Sequence, residues 1–252
     1  ATQNILMAAS IASGKSTLKN CAIEPEVIDL INFLNKCGAL IKVKNRTITV
    51  RGVEELKLQD YKVIPDRIEA GSYILATMAT KGRLKLNNFN PKDLALPLKL
   101  YKGMGLKIKK LSNSSYEIYC KTLKPIKKIS TKEFPGYPTD LQAQLIATQL
   151  KSGLKSKVVE NIFENRFIHI PELRRFGANL SIKGNTVTID KTSNLLGAEV
   201  MATDIRASFS LIIAGMMSKG KTVINRIYHL DRGYEDFDLK LKKCGVNISR
   251  KK

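Results

Sequence analysis

The sequence contains no tryptophan, and only 6% of its residues are aromatic. Residues 211–217 are its nearest approach to a membrane span, and they are far shorter than the ~18 apolar residues that such a helix needs. The start, Ala1-Thr2-Gln3-Asn4, has no Met and no basic segment, so it does not predict a signal peptide. Because 43% of the 252 residues are hydrophobic, we expect a globular protein. The short apolar runs predict that it has no membrane span, and the start without Met predicts that it begins inside a longer protein.

Cysteine and histidine are scarce. The two histidines lie far apart in the chain, and the four cysteines form no Cys-x-x-Cys pair, so no metal site is predicted. Buried, reduced thiols in a cytoplasmic protein are expected for all four cysteines. They are Cys21, Cys37, Cys120 and Cys244.

Arginine is also scarce, although the net charge is +21. Only 11 of the 43 basic residues are Arg, and the 32 Lys are spread along the chain without stacking aromatics near them. This pattern favours a generally lysine-rich surface, with an anionic small-molecule substrate as a further contribution. Nucleic-acid binding is the least favoured interpretation of the charge.

One plan recurs four times along the chain. Each copy predicts an apolar helix, a Gly turn, a strand, a polar loop, a second helix that ends at Gly, and another strand. The turn glycine and the helix-ending glycine are separated by 24, 23, 24 and 25 residues. The pairs are Gly14 and Gly38, Gly82 and Gly105, Gly153 and Gly177, and Gly220 and Gly245. This near-constant spacing indicates a repeated α/β unit.

The two helices of a unit differ in where their apolar residues lie. Residues 73–76 and 211–215 are apolar nearly all round, which predicts helices inside a core. The second helix of the first unit instead has one apolar face behind Pro25, a residue suited to a first helical turn. We predict that residues 53–252 form one domain of three units. Residues 1–52 would stand apart and expose apolar surface or lean on that domain.

Residues 13–16, Ser-Gly-Lys-Ser, resemble the end of a phosphate-binding P-loop. The motif needs Gly five residues before Gly14, and position 9 is Ala. The segment is also predicted to follow a helix and open a strand, which is the reverse of a P-loop. We interpret it as a turn.

Three inner helices begin with an aspartate. Asp66, Asp140 and Asp204 are each placed to cap a helix N-terminus, which is the ordinary role of Asp at that position. If these helices run parallel, their N-termini would gather at one end, where partial positive charge suits an anionic ligand. Arg67 and Arg206 would lie at that end.

Polar loops follow the first strands of the units. They carry Glu24, Arg166 and Arg232. A surface ion pair is the ordinary role of an Arg. However, Arg166, Arg206 and Arg232 take related positions in successive units, which favours a shared role in binding carboxylate or phosphate.

These segments carry a family resemblance. Residues 134–144, Phe-Pro-Gly-Tyr-Pro-Thr-Asp-Leu-Gln-Ala-Gln, resemble the Phe-Pro-Thr-Asp-Met-Gln-Ala-Gln signature of UDP-N-acetylglucosamine enolpyruvyl transferases. The related shikimate-pathway enolpyruvyl transferases share the architecture but not the Pro-Thr-Asp-x-Gln-Ala-Gln run. Further matches lie at residues 24–27, 65–69, 163–167, 201–207 and 227–235.

The resemblance implies a two-domain fold of six "inside-out" α/β barrel units. Residues 1–52 would be the last unit of the first domain, and residues 53–252 would be the whole second domain. The implied reaction transfers the enolpyruvyl group of phosphoenolpyruvate to the 3-hydroxyl of UDP-N-acetylglucosamine, releasing phosphate, as the first committed step of peptidoglycan synthesis. The implied enzyme is a cytoplasmic monomer that needs no metal or organic cofactor and has no membrane or nucleic-acid partner.

The resemblance also implies residue roles. Asp140 matches the aspartate that contacts the sugar hydroxyl and is the candidate base. Arg206 and Arg232 match arginines that hold phosphoenolpyruvate and stabilise the developing adduct. Ile162 matches a residue that touches the nucleotide sugar. Further matching cleft residues are Glu24, Asp66, Arg67, Arg166 and Asp204.

The chain departs from the family pattern in one respect. None of its cysteines has the surroundings of the family's proton-donating cysteine loop, which belongs to the first domain. The chain is therefore expected to be part of an active enzyme that does not turn over alone. Two alternatives remain: a non-catalytic relic that binds the UDP-sugar, and a basic nucleic-acid-binding protein.

Overall fold

The computed structural model of the protein describes residues 1–251. They form two compact units. The first comprises residues 1–65 and 133–135, and the second comprises the remaining described residues. The division of the chain into domains of a longer enzyme at residues 52 and 53 stays a prediction.

The first unit packs two helices on a three-stranded sheet. Its elements are α1 (Thr2–Ile11), β1 (Lys15–Leu18), α2 (Pro25–Lys36), β2 (Leu40–Lys44) and β3 (Thr47–Arg51). The sheet is antiparallel throughout, in the order β1-β3-β2. Leu6, Ile31 and Ile48 lie in its core. As predicted, residues 13–16 follow a helix and run into a strand, with residues 15 and 16 in β1, and they form no P-loop.

The first unit also exposes apolar surface, as predicted. One face of α1 buries Leu6 and Ala9. Elsewhere on the same helix Ile5, Met7 and Ile11 are 48%, 48% and 61% exposed. Several exposed apolar side chains on one helix are typical of an element that packs against another.

The second unit contains seven helices among its described residues. They are α3 (Arg67–Ala79), α4 (Ala95–Gly103), α5 (Gln142–Gln149), α6 (Ile170–Arg175), α7 (Ile205–Met217), α8 (Tyr228–Asp231) and α9 (Phe237–Lys243). Short 3₁₀ turns, Pro91–Leu94 and Thr139–Leu141, lead into α4 and α5.

The second unit also contains three sheets. Their strands are β4 (Arg83–Leu86), β5 (Lys107–Lys110), β6 (Tyr116–Tyr119), β7 (Lys128–Ser130), β8 (Ser156–Val159), β9 (Leu180–Lys183), β10 (Thr186–Ile189), β11 (Glu199–Met201) and β12 (Val223–Asn225). The strand orders are β4-β6-β5, β7-β8-β10-β9 and β11-β12. Only the β7–β8 and β11–β12 pairs are parallel in this set. The predicted α/β class is confirmed.

Helices α3, α5 and α7 pack together in the interior. The all-round apolar sequences of α3 and α7 predict this position, whereas α5 carries three glutamines and was not predicted from its composition. The Tyr73 and Phe209 rings meet edge to face with centroids 5.4 Å apart, which joins α3 to α7. The hydroxyl of Thr148 on α5 donates to the carbonyl of Leu75 on α3 at 3.2 Å. At Gly71 a Cβ would lie 2.6 Å from Leu141, so α3 also comes close to the turn that precedes α5.

A buried polar network joins the same helices. The Ser72 and Tyr234 hydroxyls are 2.7 Å apart, and the amide of Gln144 donates to both, at 3.1 and 3.3 Å. Tyr234 also stacks on Phe209 with centroids 4.7 Å apart. Because buried polar groups are costly when unpaired, this network fixes how α3, α5 and the segment after α8 meet.

The helix-ending glycines of the repeat are confirmed. Gly38, Gly105, Gly177 and Gly245 follow α2, α4, α6 and α9 with φ between +83° and +110°. Gly105 has a second reason to be glycine, because a Cβ there would lie 2.1 Å from the Thr122 carbonyl oxygen.

Three features differ from the sequence-based expectations. Residues 246–251 form no strand, so the fourth copy of the predicted repeat lacks the strand expected after Gly245. In the other three copies a turn or short loop returns the chain as an unpredicted strand, β3, β6 or β10, and β7 and β11 are unpredicted as well. Cys244 is exposed, which makes the prediction of four buried thiols wrong at one position.

None of the helices within residues 1–251 is both long and apolar enough to cross a bilayer.

Candidate active site

Asp140 lies in the 3₁₀ turn that leads into α5 and holds two arginines. Its Oδ1 accepts a hydrogen bond from Arg166 Nη2 at 3.0 Å, and its Oδ2 accepts one from Arg206 Nη2 at 2.6 Å. Its side chain is 28% exposed. The structure therefore brings together three of the predicted site residues, from the turn, the loop after β8 and the first turn of α7.

The arginines decide the charge state of this carboxyl. Burial raises the pKa of Asp140, but the hydrogen bonds and positive charges of Arg206 and then Arg166 outweigh burial and leave the pKa below its ordinary value. Asp140 is thus a carboxylate at neutral pH, with each oxygen already accepting a charged hydrogen bond.

Arg206 is fixed by the start of its helix. Asp204 Oδ1 caps α7 by accepting hydrogen bonds from the backbone N–H groups of Arg206 and Ala207, at 2.7 and 2.9 Å. The predicted capping role of Asp204 is confirmed. The Nε of Arg206 is buried and finds no hydrogen-bond partner within residues 1–251. The Nε–H group of Arg206 is therefore available to donate to a ligand.

Arg166 belongs to the loop that follows β8. Its guanidinium lies 4.6 Å from the centre of the Phe163 ring, a cation–π contact that restrains the side chain. Ile162 lies in the same loop. Its backbone N–H, with that of Phe163, donates to Glu160 Oε1 at 2.8 and 3.2 Å.

Asp66 and Arg67 begin α3. Asp66 Oδ1 accepts from the backbone N–H groups of Ile68 and Glu69, at 2.7 and 3.0 Å, which confirms its predicted capping role. Arg67 is buried, with 8% of its surface exposed. Contact of either side chain with a substrate stays a prediction.

Arg232 is exposed and directly follows α8, in an open groove that also includes Glu69 and Asp231. It forms no ion pair with any other residue that the structure describes. The next residue, Gly233, lies so close to Ile205 that a Cβ would be 2.3 Å from its Cδ1. The Arg232 segment therefore abuts the start of α7, next to Arg206.

The grouping of three arginines at related positions is correct only in part. Arg166 and Arg232 lie after β8 and β12, as the repeat predicts. Arg206 lies instead in the first turn of an inner helix, which is the position that Arg67 has in α3.

Glu24 belongs to the first unit, where it precedes Pro25 at the N-cap position of α2 without a side-chain capping bond. Its Oε2 is buried, and none of the described residues donates a hydrogen bond to it. Buried carboxylate oxygens usually have a donor, so this one is exceptional. Contact of Glu24 with a substrate stays a prediction.

His169 was not among the predicted site residues. It is 1% exposed, and burial lowers its pKa to about 4, while Asp204 raises it and Arg166 lowers it further. The residue therefore lies behind the site as a neutral imidazole. A lone histidine between apolar residues gave no signal of this position.

Glu160 and Phe163 were also missed, because neither lies in a predicted cap or arginine position. The only available signal for Glu160 was a charged residue directly after the apolar pair Val158-Val159. Across residues 1–251, no three His, Cys, Asp or Glu side chains gather where they could hold a metal ion.

Comparison with known proteins shows the family of the chain. The family model described as EPSP synthase (3-phosphoshikimate 1-carboxyvinyltransferase) matches residues 1–241. The chain belongs to the EPSP synthase family. Two curated relatives are both named UDP-N-acetylglucosamine 1-carboxyvinyltransferase. The protein from Pelagibacter ubique is 50% identical over 253 residues, and that from Novosphingobium aromaticivorans is 45% identical over 251 residues.

The chain spans only part of these family members. The matches cover 99% of this chain but 60% and 58% of the two relatives. Among solved structures, the enolpyruvyl transferase NikO from Streptomyces tendae aligns with a TM-score of 0.85 and 26% identity, covering 97% of this chain and 58% of NikO. EPSP synthase from Acinetobacter baumannii aligns with a TM-score of 0.73 and 16% identity, covering 98% of this chain and 60% of that one, which shows a shared fold.

Proposed function

We propose that this chain carries the sugar-binding and part of the phosphoenolpyruvate-binding residues of a UDP-N-acetylglucosamine 1-carboxyvinyltransferase. The enzyme would transfer the enolpyruvyl group of phosphoenolpyruvate to the 3-hydroxyl of UDP-N-acetylglucosamine and release phosphate, as the first committed step of peptidoglycan synthesis. The ion-paired Asp140 carboxylate carries the proposal, because it provides a base beside two anion-binding groups. The 50% identical relative bears the name of this activity.

Each member of the cluster has a role in this reaction. Asp140 takes the proton of the 3-hydroxyl while that oxygen attacks C2 of phosphoenolpyruvate. C3 would be protonated by the family's cysteine loop, which this chain does not supply, and loss of a C3 proton together with phosphate would restore the double bond. Arg206 and Arg232 hold the anionic substrate and stabilise charge on the tetrahedral adduct, which then loses phosphate. Arg166 and Ile162 lie on the loop that would contact the nucleotide sugar.

The ion pairs suggest how the base is held before substrate arrives. In the free chain, both Asp140 oxygens accept from arginines, and its pKa is depressed. An anionic substrate that draws Arg206 away would remove the larger of the two arginine effects. The pKa of Asp140 would then rise, which makes the carboxylate a stronger base when the hydroxyl is in place.

The remaining assignments follow the family. We propose Glu24, Asp66, Arg67 and Asp204 as further cleft residues, in repeated inside-out α/β barrel units. We further propose a cytoplasmic monomer without cofactor or metal. The family's proton-donating cysteine loop matches no segment of this chain, so we propose that these 252 residues bind the UDP-sugar but do not complete the reaction alone.

Calorimetry with UDP-N-acetylglucosamine tests the proposal directly. Replacing Asp140 by Asn removes a charged acceptor and should weaken binding by about 10- to 100-fold, the equivalent of about 1.5–3 kcal/mol. Asp190→Asn is the matched control, since Asp190 pairs with Lys155 at 3.3 Å on the surface of the same unit. It should leave the affinity unchanged.

Two results would contradict the proposal. The absence of heat with millimolar UDP-sugar would show that the chain does not hold the sugar site. Stoichiometric phosphate release from added phosphoenolpyruvate and UDP-sugar would show that the chain is a complete enzyme.

A further inference from the structure

We propose that Glu160 is a positioning residue that holds the Asp140 turn and the Ile162–Arg166 loop in the geometry that binds substrate. The ligand-binding part of this inference rests on the proposed function. The effect of Glu160 on the loop itself does not, because it follows from contacts within the second unit.

The Glu160 carboxylate is buried and fully hydrogen-bonded. Its Oε1 accepts from the Thr131 hydroxyl at 2.8 Å and from the backbone N–H groups of Ile162 and Phe163, at 2.8 and 3.2 Å. Its Oε2 accepts from the Thr139 hydroxyl at 2.8 Å. Only 3% of the residue is exposed. A carboxylate this deep is held in place by its donors, because an ionised group without them is costly to bury.

The four donors come from three separate segments. Thr131 follows β7, Thr139 opens the turn before α5, and residues 162 and 163 begin the loop after β8. Thr131 also contacts the loop directly, since its hydroxyl accepts a hydrogen bond from the backbone N–H of Asn161 at 2.8 Å. A single side chain therefore joins the segments on which the site residues lie.

These contacts lie next to the groups that would bind substrate. Thr139 directly precedes Asp140, and Phe163 supports the Arg166 guanidinium. The Arg166–Asp140 ion pair joins the loop to the turn, and Glu160 joins the same two segments through separate hydrogen bonds. No Lys or Arg in the described part of the chain forms an ion pair with Glu160. Its carboxylate is therefore stabilised by the hydrogen bonds from the two threonines and the loop backbone.

Three variants separate positioning from general stability. Glu160→Ala removes all four hydrogen bonds. Glu160→Gln keeps the shape, because its amide oxygen can replace Oε1 and its NH₂ can donate to the Thr139 hydroxyl. Gln149→Ala is the matched control, since Gln149 is 1% exposed and its Oε1 accepts from Ile126 N and Ser156 Oγ, at the other end of β8.

Hydrogen exchange of the intact chain gives the first test. In Glu160→Ala, amides of residues 160–166 should exchange at least about tenfold faster, while amides of α5 and β8 change little, because only the loop loses its anchor. Gln149→Ala should leave residues 160–166 as protected as in wild type. Unchanged loop protection in Glu160→Ala, or equal loss of protection across the whole unit, would overturn the proposal.

Calorimetry with UDP-N-acetylglucosamine gives the second test. Glu160→Ala should bind about 10- to 100-fold more weakly, because the turn and loop would no longer hold Asp140 and Arg166 in place, and losing a hydrogen bond to a charged group costs about this much. Glu160→Gln should stay within about threefold of wild type, since uncharged hydrogen bonds retain roughly half the strength. Equal losses in Glu160→Ala and Gln149→Ala would reduce Glu160 to a structural role and overturn the proposal.

The two tests also separate this inference from the proposed function. If wild-type chain binds no UDP-sugar, the proposed function fails, and hydrogen exchange still decides whether Glu160 holds the loop. If Glu160→Ala does not fold, Glu160→Asp takes its place, because it keeps the charge but cannot reach both the turn and the loop.

Discussion

At the scale of single residues, three aspartates at equivalent sequence positions behave differently. Asp66 and Asp204 each direct a carboxylate oxygen at the backbone of their own helix. Asp140 leaves its helix uncapped, and the 3₁₀ turn Thr139–Leu141 takes the place of a capped first turn. Its carboxylate is thereby free to hold two side chains that come from other elements. The residue that does not perform the ordinary capping role is the one best placed for chemistry.

His169 makes the free energy of unfolding depend on pH. Its folded pKa is about 4, whereas the ordinary value is 6.5, so between these values the unfolded chain binds a proton that the folded chain does not. The associated stability is fully present above about pH 6.5. It should be lost as the pH falls towards 4, by about 3 kcal/mol at roughly 1.4 kcal/mol per pKa unit.

Urea unfolding at a series of pH values checks this prediction. His169→Gln should flatten the pH dependence between pH 6.5 and 4, because the titrating group is gone. Equal slopes in wild type and His169→Gln would show that His169 is not the group responsible.

At the scale of elements, the helix starts yield a prediction that separates capping from binding. Asp66→Ala should cost about 1 kcal/mol of stability, because two N–H groups of α3 lose their acceptor. Asp66→Asn should restore that stability, since Asn caps as well as Asp. Urea unfolding measures both variants, and an Asn variant as unstable as the Ala variant would contradict the capping role. Calorimetry on Asp66→Asn then tests separately whether the charge contacts the UDP-sugar.

The elements also show what the sequence could predict. Glycine spacing and apolar helices report local backbone and burial requirements, so the repeat and the inner helices α3 and α7 were predictable. The third strands β3, β6 and β10 were not, because a short turn before a strand gives a weak local signal. Glu160 could not be recognised either. Its importance depends on Thr131 and Thr139, which reach it only after β7 and β8 pair.

At the scale of the whole molecule, the charge of +21 has two possible consequences. It can attract small anions generally, or it can form a continuous surface for a nucleic-acid backbone. The exposed lysines are distributed over different sheets. Lys42 lies on β2 in the first unit, whereas Lys107 and Lys183 lie on β5 and β9, in two separate sheets of the second. This distribution favours a general positive field over a nucleic-acid surface.

We therefore predict that duplex DNA binds weakly and with a shallow dependence on salt. A plot of log affinity against log salt concentration should have a slope shallower than about −2, because each neutralised phosphate contributes about −0.9. UDP-sugar affinity should fall only severalfold between about 0.05 and 0.5 M salt, since screening shortens the range of the field without removing the Asp140 cluster. Fluorescence anisotropy with labelled DNA and calorimetry with the UDP-sugar, in the same buffers, measure the two effects. A DNA slope of about −6 or steeper would mean that several lysines contact phosphates together, and the surface would then have to be treated as a nucleic-acid site.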